Sequence, residues 1–244
     1  MEPNLWRYIP PLVASGNVQM AIDTWLLEQH HRHGHPPALR FYRWSSPTIS
    51  LGYHQRRYPD FWNDLSIDIV RRPTGGRAVL HDGDLTYAVV TSGLSGNISQ
   101  VYGRICQFLI EGWRSLGVEL HYGEAGRGYI HSANCFGTAT AADLVDGDGN
   151  KFIGSAQLKR ENFVLQHGSM LLGGDRTLFE KVFGTPAPAS VVAGFSIATA
   201  IETLKTSAAN CFACQLVPSP LSPAEWREID AIAGRLASRA RGSG

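Results

Sequence analysis

Apolar positions divide the chain before any motif does. Val18, Ala21, Ile22, Trp25 and Leu26 recur near the 3.6-residue period. That spacing predicts a helix capped by Asn17, running out in His30, His31, His33 and His35 ahead of Pro36 and Pro37. Strand-like runs follow. Leu39-Arg40-Phe41-Tyr42 alternates, residues 48–51 follow a proline, and residues 67–70 are rich in β-branched side chains. Residues 78–80 and 85–90 continue the series on either side of Asp82, Gly83 and Asp84, which read as a turn. The clearest helical stripe is Ile98, Val101, Ile105, Leu109 and Leu116, with Gly117 as its stop. Residues 118–122 read as a strand, and a Gly-rich stretch leads to Cys135. Residues 143–145 and 151–156 read as strands joined by a turn at Asp146-Gly147-Asp148-Gly149-Asn150, and residues 163–172 as one more strand. The remainder reads as helices around 175–183, 195–209 and 222–240. Ser222-Pro223-Ala224-Glu225 opens the last with a capping box.

This order predicts an α+β fold: mixed or antiparallel sheets flanked by helices, in one domain over residues 1–244, helical from about 175 onward. At 244 residues and 43% apolar content the chain can bury a sizeable core without disulfides. Its 22 Lys+Arg against 21 Asp+Glu leave a net charge of +1, which argues against nucleic acid or a membrane surface as the main partner. No run is long and apolar enough to span a bilayer, and the first residues lack a signal-peptide pattern. The four cysteines, at 106, 135, 211 and 214, read as reduced thiols, so a cytoplasmic location is expected.

The densest chemical signal is Arg71-Arg72-Pro73-Thr74-Gly75-Gly76-Arg77-Ala78-Val79-Leu80-His81. Paired glycines let a backbone approach a ligand, and arginine can hold a phosphate or carboxylate. The same stretch also reads as a hairpin turn with solvated arginines, and it is no Walker A loop, which needs Gly-Lys-Ser/Thr opening a helix. Cys135 lies among small and polar residues, His131 to Thr138, where a thiol is more reachable than Cys106 on its helical stripe. Its reactivity depends on lowering a pKa of about 8.5, which a nearby cation can do. Lys151 is the leading partner, with His81, His131 and His167 as alternatives; an inert thiol is the plain reading. Gln166-His167-Gly168-Ser169, taken alone, suits a structural histidine. Other signals fail. The Asp146 turn has Lys151 where a calcium loop needs Gly and Gln157 where it needs Glu. Cys211-Phe212-Ala213-Cys214 has no second pair to complete a zinc site. No metal site is expected.

Three ordered blocks resemble the lipoate/octanoate attachment family, which shares its catalytic fold with biotin–protein ligases. They are Arg71 to Asp82 followed by Leu85-Thr86-Tyr87, then Lys151-Phe152-Ile153-Gly154-Ser155-Ala156-Gln157, then Leu165-Gln166-His167-Gly168-Ser169. Ser50-Leu51-Gly52-Tyr53-His54-Gln55 resembles that family's early strand, and the matches span roughly residues 17 to 172. Cys135-Phe136, sixteen residues ahead of Lys151, looks most like the cysteine-loop octanoyltransferases.

The resemblance implies a biotin/lipoate-ligase-like catalytic domain with C-terminal helices. It implies transfer of octanoate from octanoyl-acyl carrier protein, through a Cys135 thioester, to a lysine of a lipoyl domain. The acceptor would be the glycine-cleavage H protein or a 2-oxoacid dehydrogenase E2. Cys135 and Lys151 are the implied catalytic pair; Arg72, Gly75, Gly76, His81, Gly154, Ser155, Ala156 and His167 are the implied substrate contacts. No cofactor is expected for a transferase, and the protein is expected to be monomeric. The same scaffold supports an ATP- and Mg²⁺-dependent lipoate–protein ligase, for which Cys135 is dispensable, or a non-catalytic binder of carrier domains.

Overall fold

The computed structural model describes residues 4–123, 143–188 and 194–241. Their elements run β1 (Leu5–Ala14), α1 (Gly16–His33), β2 (Ala38–Trp44), β3 (Thr48–Leu51), β4 (Asp68–Arg71), β5 (Val79–His81), β6 (Leu85–Ser92) and α2 (Ile98–Ser115). They continue with β7 (His121–Tyr122), β8 (Leu144–Val145), β9 (Lys151–Arg160), β10 (Phe163–Met170), α3 (Arg176–Phe183), α4 (Ile197–Cys211), β11 (Gln215–Pro218) and α5 (Pro223–Arg241). An eight-stranded mixed sheet has the order β11-β1-β2-β6-β10-β9-β8-β7, and a three-stranded sheet has the order β4-β3-β5. The expected α+β architecture with helix-flanked mixed sheets is the one observed.

Strand alternation decides which helices cover which face of the large sheet. Leu39 and Phe41 of β2, with Leu85, Tyr87 and Val89 of β6, join the apolar cluster beneath α2 and α4. Their neighbours Ala38 and Tyr42, with Ala88 and Val90, face α1 and α5 instead. A third cluster, including Ile49, Leu51, Trp62, Leu80 and Phe179, closes the small sheet against α3.

The structure corrects the sequence reading in several places. Ser15, not Asn17, occupies the cap position of α1, and Asn17 lies inside the helix. The run 118–122 shortens to β7. Strands β4 and β5 do not form a hairpin: each pairs with β3, β4 in parallel and β5 antiparallel, so the segment between them is a connection across the small sheet. Two strands escaped the reading. Pro10-Pro11 interrupts the alternation of β1, and the sheet absorbs the break as a register shift between Ile9 and Leu12. The C-terminal part is not wholly helical, because β11 adds in parallel to β1 at the sheet edge.

Arg7 of β1 then ties down α5. Its Nη1 and Nη2 donate to the two Glu225 carboxylate oxygens at 2.6 and 2.9 Å, and Nε donates to the Ser219 carbonyl at 3.1 Å. The capping box is present: the Ser222 amide donates to Glu225 Oε2 at 2.7 Å, and the Glu225 amide to Ser222 Oγ at 3.3 Å.

Candidate active site

Ends of both sheets meet at a cavity of about 110 Å³. Met20 of α1, Trp44 of β2 and Val79 of β5 supply its apolar wall. Ser50, Arg72, Gly76, His81, Thr86 and Asp143 add polar wall, and Gly154 to Ala156 on β9 face His167 to Ser169 on β10. The antiparallel register of β9 and β10 sets His167 opposite Ala156 and Gly168 opposite Ser155. A side chain at 168 would meet Ser155 Oγ, Tyr87 and the Gly154 carbonyl, so only glycine lets the strands close there.

The three-stranded sheet shapes the glycine loop. Arg72 is buried and spends its donors on backbone: Nη1 on the Ser50 carbonyl at 2.7 Å, Nη2 on the Gly75 and Arg77 carbonyls at 2.7 Å each. Arg72 therefore folds the loop around itself; the solvated-arginine reading does not hold for it. Gly76 has φ +92°, in the left-handed region, and its carbonyl lies so close to Gly52 that a Cβ at 52 would overlap it.

Two histidines of the wall are each gripped by a buried carboxylate. His167 Nδ1 lies 2.8 Å from Asp23 Oδ2, and its Nε2 lies 2.6 Å from Thr74 Oγ1. Asp23 also accepts from the Tyr42 hydroxyl at 3.1 Å and pairs with Arg40 at 3.3 Å; Gln19 completes this set by accepting from Arg40. His81 Nδ1 lies 2.8 Å from Asp84 Oδ2, its Nε2 lies 2.9 Å from Ser50 Oγ, and its ring stacks on Trp44 with centroids 3.9 Å apart. Burial lowers the His81 pKa, opposed by the Asp84 charge and hydrogen bond, so the imidazole is neutral near pH 7.

Lys151 opens β9 with its Nζ 2.7 Å from Asp143 Oδ1, both side chains buried. The β8–β9 hairpin explains this contact: Val145 pairs with Lys151, which brings the strand's first residue back beside Asp143. The turn between them closes on Asp146 Oδ1, which accepts from the Asp148 and Asn150 amides at 3.0 and 2.8 Å.

Of the residues singled out in the sequence, Arg72, Gly76, His81, Gly154, Ser155, Ala156 and His167 meet at the cavity. Gly75 stands back from it, its carbonyl serving Arg72. Lys151 stands behind the cavity wall, its Nζ on Asp143, which lines it. Cys135 lies outside the described residues. The sequence reading missed Asp23, Arg40, Asp84 and Asp143. A charged residue inside an otherwise apolar helical stripe (Asp23) or strand alternation (Arg40) was the available signal. Among the described residues, no cluster of three or more His, Cys, Asp or Glu is placed to hold a metal ion, and no helix is long and apolar enough to cross a membrane.

Residues 15–206 match the family described as the lipoyl protein ligase A/B catalytic domain. The chain belongs to this family. Octanoyltransferase LipM of Anoxybacillus flavithermus is 37% identical over 201 residues, covering 76% of this chain and 72% of that relative. Octanoyltransferase LipM of Carboxydothermus hydrogenoformans is 41% identical over 175 residues, covering 68% of this chain and 65%, just under two thirds, of the relative. Among solved structures, a T. acidophilum protein described as a lipoate protein ligase, with bound lipoic acid, superposes with a TM-score of 0.79. It is 22% identical and covers 96% of this chain and 95% of its own, a likeness of fold. The two octanoyltransferases thus align with the chain at 37% and 41% identity, against 22% for the T. acidophilum protein.

Proposed function

We propose that this chain is an octanoyltransferase of protein lipoylation, working through a cysteine thioester. The Cys135 thiolate attacks the carbonyl of octanoyl-acyl carrier protein, the carrier thiolate leaves, and the octanoyl group rests on the enzyme. A lysine amine of a lipoyl domain then displaces Cys135 to form the amide. Two easier displacements replace one difficult transfer.

The observation that carries this reading is the placement of Lys151. Its ammonium is held 2.7 Å from Asp143, which lines the cavity and follows Cys135 by only eight residues in the chain. A fixed ammonium there favours the thiolate and takes up oxyanion charge, a role typically worth about 3 kcal/mol. The other cysteines are poorly suited to the task. Burial pushes Cys106 up to about 12, and Cys211 and Cys214 up to about 11 each. The identity to proteins called octanoyltransferases supports the same choice.

Intact mass spectrometry tests it. After mixing with octanoyl-acyl carrier protein without ATP, the wild type gains one octanoyl increment that hydroxylamine removes, and Cys135→Ser gains none. Absence of the adduct on wild type, with lipoate and ATP then yielding a modified lipoyl domain, would establish the ligase chemistry instead.

A further inference from the structure

Aminolysis of a thioester must dispose of a proton, and Lys151, already an ammonium paired with Asp143, is poorly placed to take one. Two histidines line the same cavity, and their surroundings differ. Asp23 behind His167 already has a full cation in Arg40 at 3.3 Å, so an imidazolium at 167 would share its carboxylate. Asp84 behind His81 is buried, and its Oδ2 accepts from His81, from Thr86 Oγ1 at 3.1 Å and from Ser169 Oγ. Its Oδ1 is buried with no hydrogen-bond partner among the described residues. No lysine or arginine pairs with Asp84 among the described residues, in contrast to Asp23 with its Arg40.

The protonation pattern follows from the partners. An ionised Asp84 only accepts, so Nδ1 of His81 carries the proton and Nε2 carries the lone pair. Ser50 Oγ accepts from Arg72 Nη1 at 3.2 Å and therefore has its own hydrogen to donate to Nε2. Ser50 and His81 both line the cavity.

We propose that Asp84, His81 and Ser50 form a proton relay that removes the proton from the acceptor lysine amine during acyl transfer. This rests on the transferase reading given above. As the amine nitrogen bonds the thioester carbon, its proton passes to Ser50 Oγ while Ser50 gives its own to His81 Nε2. The C–S bond then breaks, and the Cys135 thiolate leaves with its electron pair. His81 returns the proton through Ser50 to the released thiolate or to water, so no other reactant is consumed. The groups facing His81 suit the task. Trp44 from β2 covers its ring face, Arg72 and His167 disfavour a resting positive charge, and Asp84 stabilises the imidazolium once it forms. The imidazole is thus held neutral at rest and able to accept.

Acyl-enzyme prepared from octanoyl-acyl carrier protein and freed of donor is mixed with a lipoyl domain, and amide formation is followed by intact mass between pH 6 and 9. His81→Gln is expected to slow this half-reaction about 10²- to 10⁴-fold at pH 7 and to slow acyl-enzyme formation far less. The deficit is expected to shrink as pH rises and hydroxide takes the proton of the attacking nitrogen in place of the relay. Ser50→Ala is expected to give a smaller loss of the same pH shape. Equal slowing of both half-reactions, or an unchanged rate and pH profile for transfer, would overturn the relay. If His81→Gln does not fold, wild-type behaviour of Ser50→Ala overturns it alone. If wild type forms no acyl-enzyme, the transferase reading fails separately. The same variants are then read on octanoyl-adenylate supplied with the lipoyl domain, where an unchanged rate again overturns the relay and a pH-dependent loss supports it.

Discussion

The two faces of the large sheet come from the same strands and follow different rules. Towards α2 and α4, Leu39, Phe41, Leu85, Val89 and Val164 pack among apolar groups such as Val101, Ile105, Phe108 and Leu109, and the buried amide of Gln166 there donates to the Tyr87 hydroxyl at 3.0 Å. Towards α1, the alternate positions place Arg40, Tyr42, Thr86, His167 and Ser169 in equally deep burial. On the first face shape dominates and no charge is buried among these side chains. On the second, every charge must meet a partner or destabilise the fold, because an unpaired buried ion costs several kcal/mol. Asp23 shows how closely this is met: Arg40, Tyr42 and His167 all converge on one carboxylate. The cavity opens on the polar face, so the residues that are expensive to bury are also those that shape it.

The largest effect separating the faces is expected from Arg40→Met, which leaves Asp23 buried without its cation. A loss of about 3–5 kcal/mol in urea unfolding is expected, together with impaired octanoyl transfer through a displaced His167. The double variant Arg40→Met/Asp23→Leu is expected to recover much of the stability and none of the transfer. Recovery of both would show that the network is only a folding device.

A smaller effect is expected on the apolar face. Ile105 is fully buried under the sheet in α2. Ile105→Val should cost about 0.5–1.5 kcal/mol in the same unfolding experiment. Transfer per folded molecule should stay at the wild-type rate; a marked fall in transfer would mean the two faces are coupled through the strands.

The same contrast governs what could be read in the sequence. Apolar periodicity placed α2 within a residue of its observed end, because its stripe answers to a single cluster. The glycine block, the Lys151 strand and the His167 strand were legible as motifs, since each is contiguous. Their partners were not. Asp23 and His167 stand 144 residues apart, and nothing local in Leu39-Arg40-Phe41-Tyr42 says that Arg40 is buried on a carboxylate. Alternation marks two faces without saying that helices cover both, so it gives no sign that the polar one is buried. Strand β1 was hidden by Pro10-Pro11, which signals a break unless a neighbouring strand tolerates the shift, as β2 does. Short β11 needed β1 to be recognised first, so missing one strand concealed the other.

The smallest expected effect lies at the far edge of the polar face, where Arg7 and Glu225 anchor α5 beside α1. The Arg7 hydrogen bonds, helped by those from Ser222, hold Glu225 down at about 2. A carboxylate depressed in the folded state stabilises it above the unfolded value near 4.5, and that contribution is lost as pH falls toward 2. The pair is partly open to solvent, so screening limits the contribution to at most about 1 kcal/mol. Urea unfolding of wild type and Glu225→Gln should therefore differ slightly at pH 6 and converge as the pH is lowered below 4.5. A constant difference across that range would place the role of Glu225 in its neutral hydrogen bonds to Ser222, and would detach the edge of the molecule from the charge pairing that organises the face beside the cavity.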